Sequence, residues 1–510
     1  MSVTSAQKNV ASRVANQTGQ TGSAASTGGG ALAPRTGALT VNSGSGGQTT
    51  TLPPAADCTP DFQGVGHEHS LWPQTDFGLP TVVGQSKTWS HPGAGTHSVK
   101  VTKMADGSSA SSMGATSYLN RIPEYSQHDA FSADGTYLIS HGITTRGLMN
   151  AKTYQNVRAV NNGSITMGDW QWHPTVDRYA FYFDQHTDRV YRYDADADTH
   201  TLLFDFQSTP VTVGAQSFSN LGTSNNTYSM GGQGSITADG NKVAVIMNGS
   251  GNGALVQLNL DTQTVGGGVF FSGLDTSSEL DSASISPDGQ YLIAMGDFDS
   301  IYGTSFSRNQ IYAYDVSNLN VNNRILVYGR ESHFDVGLDA NGDPVVVIFG
   351  HAPVNGWNGR TTDSGVGLVA GVGSYNIATQ TYTQVLQREL WGGSGMPSGH
   401  ISMPLDGAGV ALISSYQGGH PDSSSFAQNN AMIAVDLANG NVAWLGWDEG
   451  ANDGIETAGT VHGYYAQPHS SLVHDAEFGD GSRGWKVAFA SDNRSTGAWA
   501  DLYIAEIRCN

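Results

Sequence analysis

Seven times along this chain an apolar run follows a polar turn. The runs are TYLISHG (136–142), YAFYFD (179–184), KVAVIMN (242–248), QYLIAMGD (290–297), PVVVIFG (344–350), GVALISSY (409–416) and KVAFASD (486–492). Six are followed by a second strand pattern: VYRYDADADTHTLLF (190–204), ALVQLNLDTQTVGGGVF (254–270), QIYAYDVSN (310–318), GSYNIATQTYTQVL (373–386), AMIAVDLANGNVAWLGW (431–447) and DLYIAEI (501–507). In the first unit the pattern is less clear after His141, and TYQNVRAV (153–160) is the expected partner strand. Short apolar runs separated by Asp-Gly, Asn-Gly or Ala-Asp turns predict antiparallel meanders.

Seven such sheets arranged radially make a β-propeller, so the expected fold is all-β and seven-bladed. Composition agrees: 66 of 510 residues are glycine and only 13% are charged, which suits a loop-rich β protein. Unequal spacing of the units predicts long loops at 207–227, 351–372, 388–399, 417–429 and 448–466. The chain divides into an arm (1–57), an N-terminal segment that closes the propeller (58–124) and the propeller itself (125–510). The arm is Gly, Ser, Thr, Ala and Gln with almost no aromatics, so it is either a flexible linker or a segment ordered by an assembly partner. HSVKVTKM (97–104) alternates valine with polar residues and is expected to add a strand to the last blade.

Such closure brings the chain ends together, which fits a disulfide between the two cysteines, Cys58 and Cys509. The bond would constrain the unfolded chain by about 4–5 kcal/mol and imply an oxidising location; two free thiols are the alternative. MSVTSAQKNVASRVANQ has no apolar h-region, so no ordinary secretory signal is visible. Export by another route, an altered start, or release by lysis in the manner of a virion protein would each reconcile this with an extracellular or particle-surface location. No stretch reaches the roughly 20 apolar residues of a membrane-spanning helix. The formal net charge of -21 disfavours nucleic acid. It also works against a polyanionic substrate unless a cation or local arginines reverse the potential.

A polar residue recurs six positions before the turn. His128 precedes Asp134, Gln233 precedes Asp239, His400 precedes Asp406 and His474 precedes Asp480 by that interval. The first strand of a propeller blade lines the central channel and its Asp-Gly turn lies at one end. Residues at this offset are therefore expected near the other mouth, lining the channel. Unit five offers His333 and Asp335 there, unit four Glu279 and Asp281, and unit two Trp170 and Gln171, with His173 nearer the turn. Imidazoles converging on one axis suit metal binding or proton transfer. The plainer reading is a set of inner-strand polar groups that bond to one another or to channel water.

The last unit, QPHSSLVHD…GWKVAFASDN…ADLYIAEI, resembles the last blade of oligogalacturonate-lyase-like propellers, with a His-rich strand start, an apolar strand ending in Ser-Asp and a closing Asp-Leu-Tyr strand. GHISMPLDGAGVALISSY is similar to another of their blades, and the seven-bladed ulvan lyases share the architecture. The resemblance covers 125–508 as architecture and 397–416 and 465–507 as motif. Non-catalytic propellers of the TolB-like kind carry similar strand endings. The resemblance implies a polysaccharide lyase in which a histidine or tyrosine removes the proton beside a uronate carboxylate, while a metal or arginine neutralises that carboxylate. It implies His400, His469 and Gln467 as ligands of a divalent metal, His333 as base, Tyr464 and Tyr465 as donors to the leaving oxygen, and Arg360 as partner of the carboxylate. The chain departs from the family at Gln467 and His469, which do not reproduce the full ligand spacing.

DADADTH (194–200) has the alternating aspartates of a calcium loop without the Gly and terminal Glu of an EF-hand, so a solvated turn competes with a calcium site. No phosphate loop or Gly-x-Ser-x-Gly elbow is present. Two functions follow. One is a lyase acting on an acidic polysaccharide by β-elimination. The other is a non-catalytic structural or glycan-binding propeller displayed on a virion or cell surface through its arm.

Overall fold

The computed structural model describes residues 79–90, 97–105, 129–140, 146–163, 165, 167–184, 187–214, 216–218, 236–249, 252–273, 280–302, 310–328, 333–350, 371–387, 399–404, 409–415, 431–447, 470–491 and 501–509. They form seven antiparallel blades. Blade 1 is Tyr137–Ser140, Arg146–Asn150 and Gln155–Val160, with Phe131 bridged to Leu138 on the inside. Blade 2 is Met167–Trp172, Tyr179–Asp184, Arg189–Asp194 and Thr199–Asp205. Blade 3 is Lys242–Gly249, Asn252–Asn259 and Thr264–Ser272, with Ile236 bridged to Val243. Blade 4 is Leu280–Ile285, Tyr291–Gly296, Gln310–Asp315 and Arg324–Tyr328. Blade 5 is His333–Leu338, Pro344–Gly350, Gly371–Asn376 and Thr381–Gln387. Blade 6 is Gly399–Ser402, Val410–Ser415, Ala431–Asp436 and Val442–Trp447. Blade 7 runs outward through Ser471–Glu477, Arg483–Ser491 and Asp501–Cys509, then His97–Ala105 and Ser86–Ser90.

Each second strand is buried on both faces, which is why it reads as an unbroken apolar run. In blade 3, Val243, Val245 and Met247 pack with Phe181 and Phe183 of blade 2, while Ala244 and Ile246 pack with Leu292 and Ala294 of blade 4. The same division recurs in blade 5, where Val346 and Ile348 meet blade 4 and Val345, Val347 and Phe349 meet blade 6. Apolar clusters therefore fill the spaces between successive blades. The cluster joining Phe131 and Leu138 to Val473 and Ala488 lies between blades 7 and 1 and completes the circle.

The turns that end the inner strands of blades 1, 3 and 4 share one hydrogen-bonded cassette. In blade 4, Ser286 Oγ donates to Asp288 Oδ1 (2.5 Å) and accepts the Tyr291 N–H (2.9 Å). Asp288 Oδ1 also accepts the Gln290 N–H (3.0 Å), and Gly289, at φ 71°, donates to the Ser286 carbonyl (2.7 Å). Ser132-Asp134-Gly135 in blade 1 and Thr237-Asp239-Gly240 in blade 3 repeat it. The Asp-Gly signal in the sequence is this device: a short side chain captures otherwise unpaired N–H groups, and glycine accepts the left-handed backbone.

The TYQNVRAV expectation is corrected. The immediate partner of Tyr137–Ser140 is Arg146–Asn150, and Gln155–Val160 pairs on its far side. His97–Ala105 pairs antiparallel with Asp501–Cys509, placing His97 opposite Cys509. Two ion pairs reinforce this ladder, Lys103 Nζ to Asp501 at 2.7 Å and Lys100 Nζ to Glu506 at 3.4 Å. Cys58 and the arm lie outside the described residues, as does the side chain of Cys509.

Candidate functional site

The inner strand of blade 5 presents two different faces. Phe334 and Val336 join Ile293 and Met295 of blade 4. The alternate residues, His333, Asp335 and Gly337, turn to blade 6. Three contacts define that seam. The His333 and His400 rings meet edge to face, with centroids 4.6 Å apart and planes at 73°. Asp335 Oδ2 accepts the Met403 N–H at 2.6 Å. Gly337 leaves room for Met403, whose Cε would lie 2.7 Å from a Cβ placed there. His333 is six residues before Asp339, so a strand rise sets it about 20 Å from the turn, near the loop-bearing mouth.

The seam is dry: His333 is 8% exposed, Asp335 3% and His400 1%. Burial pushes the Asp335 carboxyl well above the ordinary carboxylate range. The Met403 and Val336 N–H groups oppose that shift, and the nearby charge of Asp129 adds to it. A small cavity next to Asp335 is lined by Asp129, Ile236, Pro287, Val336 and Met403, which belong to blades 1, 3, 4, 5 and 6. Only a space on the propeller axis touches so many non-adjacent blades. A neutral imidazole offers one lone pair and one N–H. The pair at the mouth of this axis can therefore take a proton on one ring nitrogen while another holds the ring in place.

The remaining expectations fall in different places. His474 sits on the inner strand of blade 7 beside a register shift, half-buried against Trp485 with ring centroids 4.7 Å apart. Trp170 and Gln171 are buried in blade 2, Trp170 stacked on Tyr182. His173 belongs to the turn: its Nδ1 accepts the N–H groups of Thr175 and Val176 (both 3.2 Å), and burial pushes its pKa down to about 4. His128, Gln233, Glu279, Arg360, Tyr464, Tyr465, Gln467 and His469 lie outside the described residues, as does the side chain of Asp281. Among the described residues no three His, Cys, Asp or Glu side chains are placed to share a metal ion, so His400 has no ligand set around it there.

In DADADTH the carboxylates serve the protein itself. Asp194 caps the Asp196 and Ala197 N–H groups, Asp196 accepts from Tyr137 and Asp198 from Tyr193. Asp129 was not anticipated. Its sequence signal was only its place beside His128, because its neighbours on the axis come from other blades.

No protein-family model matches the chain, and no curated protein matches it. Among solved structures it is similar to an oligogalacturonate lyase in complex with manganese, at 14% identity over 84% of this chain and 99% of that one, with a TM-score of 0.47. It is similar to a Kuenenia stuttgartiensis hydrazine synthase at 13% identity over 78% and 99% of the two chains, TM-score 0.43. It is also similar to TolB from Acinetobacter baumannii at 16% identity over 59% of each chain, TM-score 0.32. The seven-bladed arrangement is established by this chain's own strand order.

Proposed function

We propose that this propeller is carbohydrate-active and cleaves an acidic polysaccharide by β-elimination at the mouth of the seam between blades 5 and 6. The observation that carries the reading is the edge-to-face pair of His333 and His400 beside the axis. In β-elimination a base removes the proton next to the uronate carboxylate, charge builds on that carboxylate, and the glycosidic oxygen leaves from the adjacent carbon. His333 is the base in this reading, and His400 holds its ring. Arg360 would neutralise the carboxylate, and Tyr464 or Tyr465 would protonate the leaving oxygen. His400 with Gln467 and His469 would be the place for a divalent cation, which would supply positive charge to the uronate carboxylate.

The product is an unsaturated uronate that absorbs in the ultraviolet. Pectin fragments, ulvan, alginate and glycosaminoglycans, each with and without chelator, form the assay panel. Absorbance should grow with the wild type and fall at least 100-fold in His333→Ala, the loss of one general base. Folding of the variant is checked by circular dichroism. A folded wild type silent on the whole panel overturns the lyase reading. The propeller would then be a non-catalytic, glycan-binding or structural protein displayed outside the cell or on a particle through residues 1–57.

A further inference from the structure

A lysine interrupts the apolar second strand of blade 7. Lys486, in GWKVAFASD, is 0% exposed and lies on the strand face that carries Ala488 towards blade 1. Its Nζ donates to the Ala151 carbonyl of blade 1 at 2.9 Å and to the Glu477 carbonyl of blade 7 at 2.7 Å. It therefore bridges the seam at which the last blade meets the first. The two backbones are in close contact there. A Cβ on Gly479 would lie 2.6 Å from the Lys152 carbonyl oxygen, and one on Gly135 would lie 2.8 Å from Ala476 Cβ.

The charged groups around Lys486 are committed elsewhere. From blade 1, Lys152 pairs with Glu477 at 3.0 Å and with Asp134 at 3.9 Å. Within blade 7, Glu506 stands opposite Lys486 in the strand register but is held by Lys100 at 3.4 Å and Arg508 at 2.5 Å; Arg508 also bonds Asp480. Among the described residues none of these carboxylates forms an ion pair with Lys486. Both of its acceptors are main-chain carbonyls, which match the two N–H groups of a neutral amine. An ammonium has three donors, and the third is left with the face of Phe478, whose ring centroid is 5.5 Å from Nζ. Burial disfavours the charged form and brings the Lys486 pKa down to about 7. Lys152 and Arg508 push the same way, against Asp134 and Glu477.

We propose that Lys486 is a protonation-controlled latch on the closure of the ring. As a neutral amine it ties blade 1 to blade 7 through the Ala151 and Glu477 carbonyls. When it takes a proton, a charge without a counter-ion is shut inside the seam. Water must enter to solvate it, and these two blades part before the others do. The folded chain releases this proton near pH 7 and the unfolded chain near pH ~10.4. Between those values the unfolded chain holds more protons, so stability from this group rises with pH across that window, and below about pH 7 its cost is constant. No part of this rests on the lyase reading.

The test uses the full chain labelled with 13C at lysine Cε, whose resonance follows protonation of the amine. One lysine should titrate near pH 7, where an ordinary lysine titrates near pH ~10.4. Its signal should be missing in Lys486→Met. Hydrogen exchange, corrected for intrinsic rates at each pH, reports the seam. On going from pH 8 to pH 6, wild-type peptides covering Arg146–Asn150 and Ser471–Glu477 should lose protection by about tenfold relative to those covering Tyr291–Gly296 of blade 4. In Lys486→Met they should not. The urea unfolding constant of the wild type, divided by that of Lys486→Met, should fall as pH rises from 7 to 9, by up to about tenfold per unit. The titration and the exchange are read on the wild type, so both stand if the variant folds poorly.

Titration of every lysine at the ordinary value overturns the neutral amine and the latch with it. A midpoint near pH 7 with exchange that changes equally in all blades, or not at all at the seam, overturns the latch. So does the same loss of protection in a folded Lys486→Met, since another group would then be titrating. None of these measurements involves a glycan, so either proposal can fail while the other stands.

Discussion

Gly240→Ala should be among the more damaging single-methyl additions in this protein. Gly240 closes the turn of blade 3 at φ 74°, and a Cβ there would lie 2.7 Å from His173 Nδ1 and closer still to two other ring atoms. An L residue in the left-handed region costs about 1–2 kcal/mol. The ring must also move away, which breaks its bonds from the Thr175 and Val176 N–H groups at roughly 0.5–1.5 kcal/mol each. The total is about 2–5 kcal/mol. Gly481 is the internal control. It closes the equivalent turn of blade 7 at φ 82° with nothing within 4 Å of its Cβ position, so Gly481→Ala should cost only the backbone part. Urea midpoints followed by tryptophan fluorescence compare the two variants. A double-mutant cycle with His173→Ala should recover the steric part as a coupling energy. If Gly240→Ala unfolds at the same urea concentration as Gly481→Ala, the contact with His173 is not what fixes this turn.

The neutrality of His173 makes stability depend on pH. Its pKa near 4 lies below the unfolded value near 6.5, so its contribution is lost as pH falls between them, by at most about 3 kcal/mol; unfolding midpoints from pH 4 to 7 should show this slope, and His173→Gln should flatten it. Ser286→Ala removes a hydroxyl that bonds the Asp288 carboxylate and receives the Tyr291 N–H, and should lower the unfolding free energy by about 2–4 kcal/mol by denaturant titration. Leu255→Ala opens a cavity between blades 3 and 4 and should cost about 2–5 kcal/mol in the same assay. Leu202→Ala, on the outer strand of blade 2 where the leucine is 46% exposed, should change stability by no more than about 0.5 kcal/mol.

The blades were legible because their second strands have two buried faces. A run such as KVAVIM has no polar side to show, and its Asp-Gly flank marks where it starts. Arg146–Asn150 was not legible, because its first residue is an arginine. That arginine is fully buried, its guanidinium 5.7 Å from the Trp170 ring, a partner supplied by the next blade. Ser86–Ser90 was hidden for the opposite reason: it is an outermost strand, SKTWS, with a largely polar surface. The placement of His333 and His400 on inner strands could be read from the unit pattern, while the roles expected of them rested on the resemblance. Asp129 and the role of His173 could not be read, since each depends on a residue from another blade.

The pairing of His97–Ala105 with Asp501–Cys509 orders events during synthesis. The strand made early has its partner some 400 residues later, so the ring stays open until nearly the whole chain has emerged. The entropy of closing so long a loop rises only logarithmically with length, and the ladder with its two ion pairs offsets it. The cost is in time. While blades 1 to 6 stack behind the ribosome, His97–Ala105 has an unpaired edge, and the blade 1 face of the cluster with Val473 and Ala488 is wet. An unpaired strand and an apolar face on a nascent chain are the surfaces on which such intermediates stick to one another. Slowing the last stretch of translation should therefore lower the yield of this protein more than slowing any earlier one.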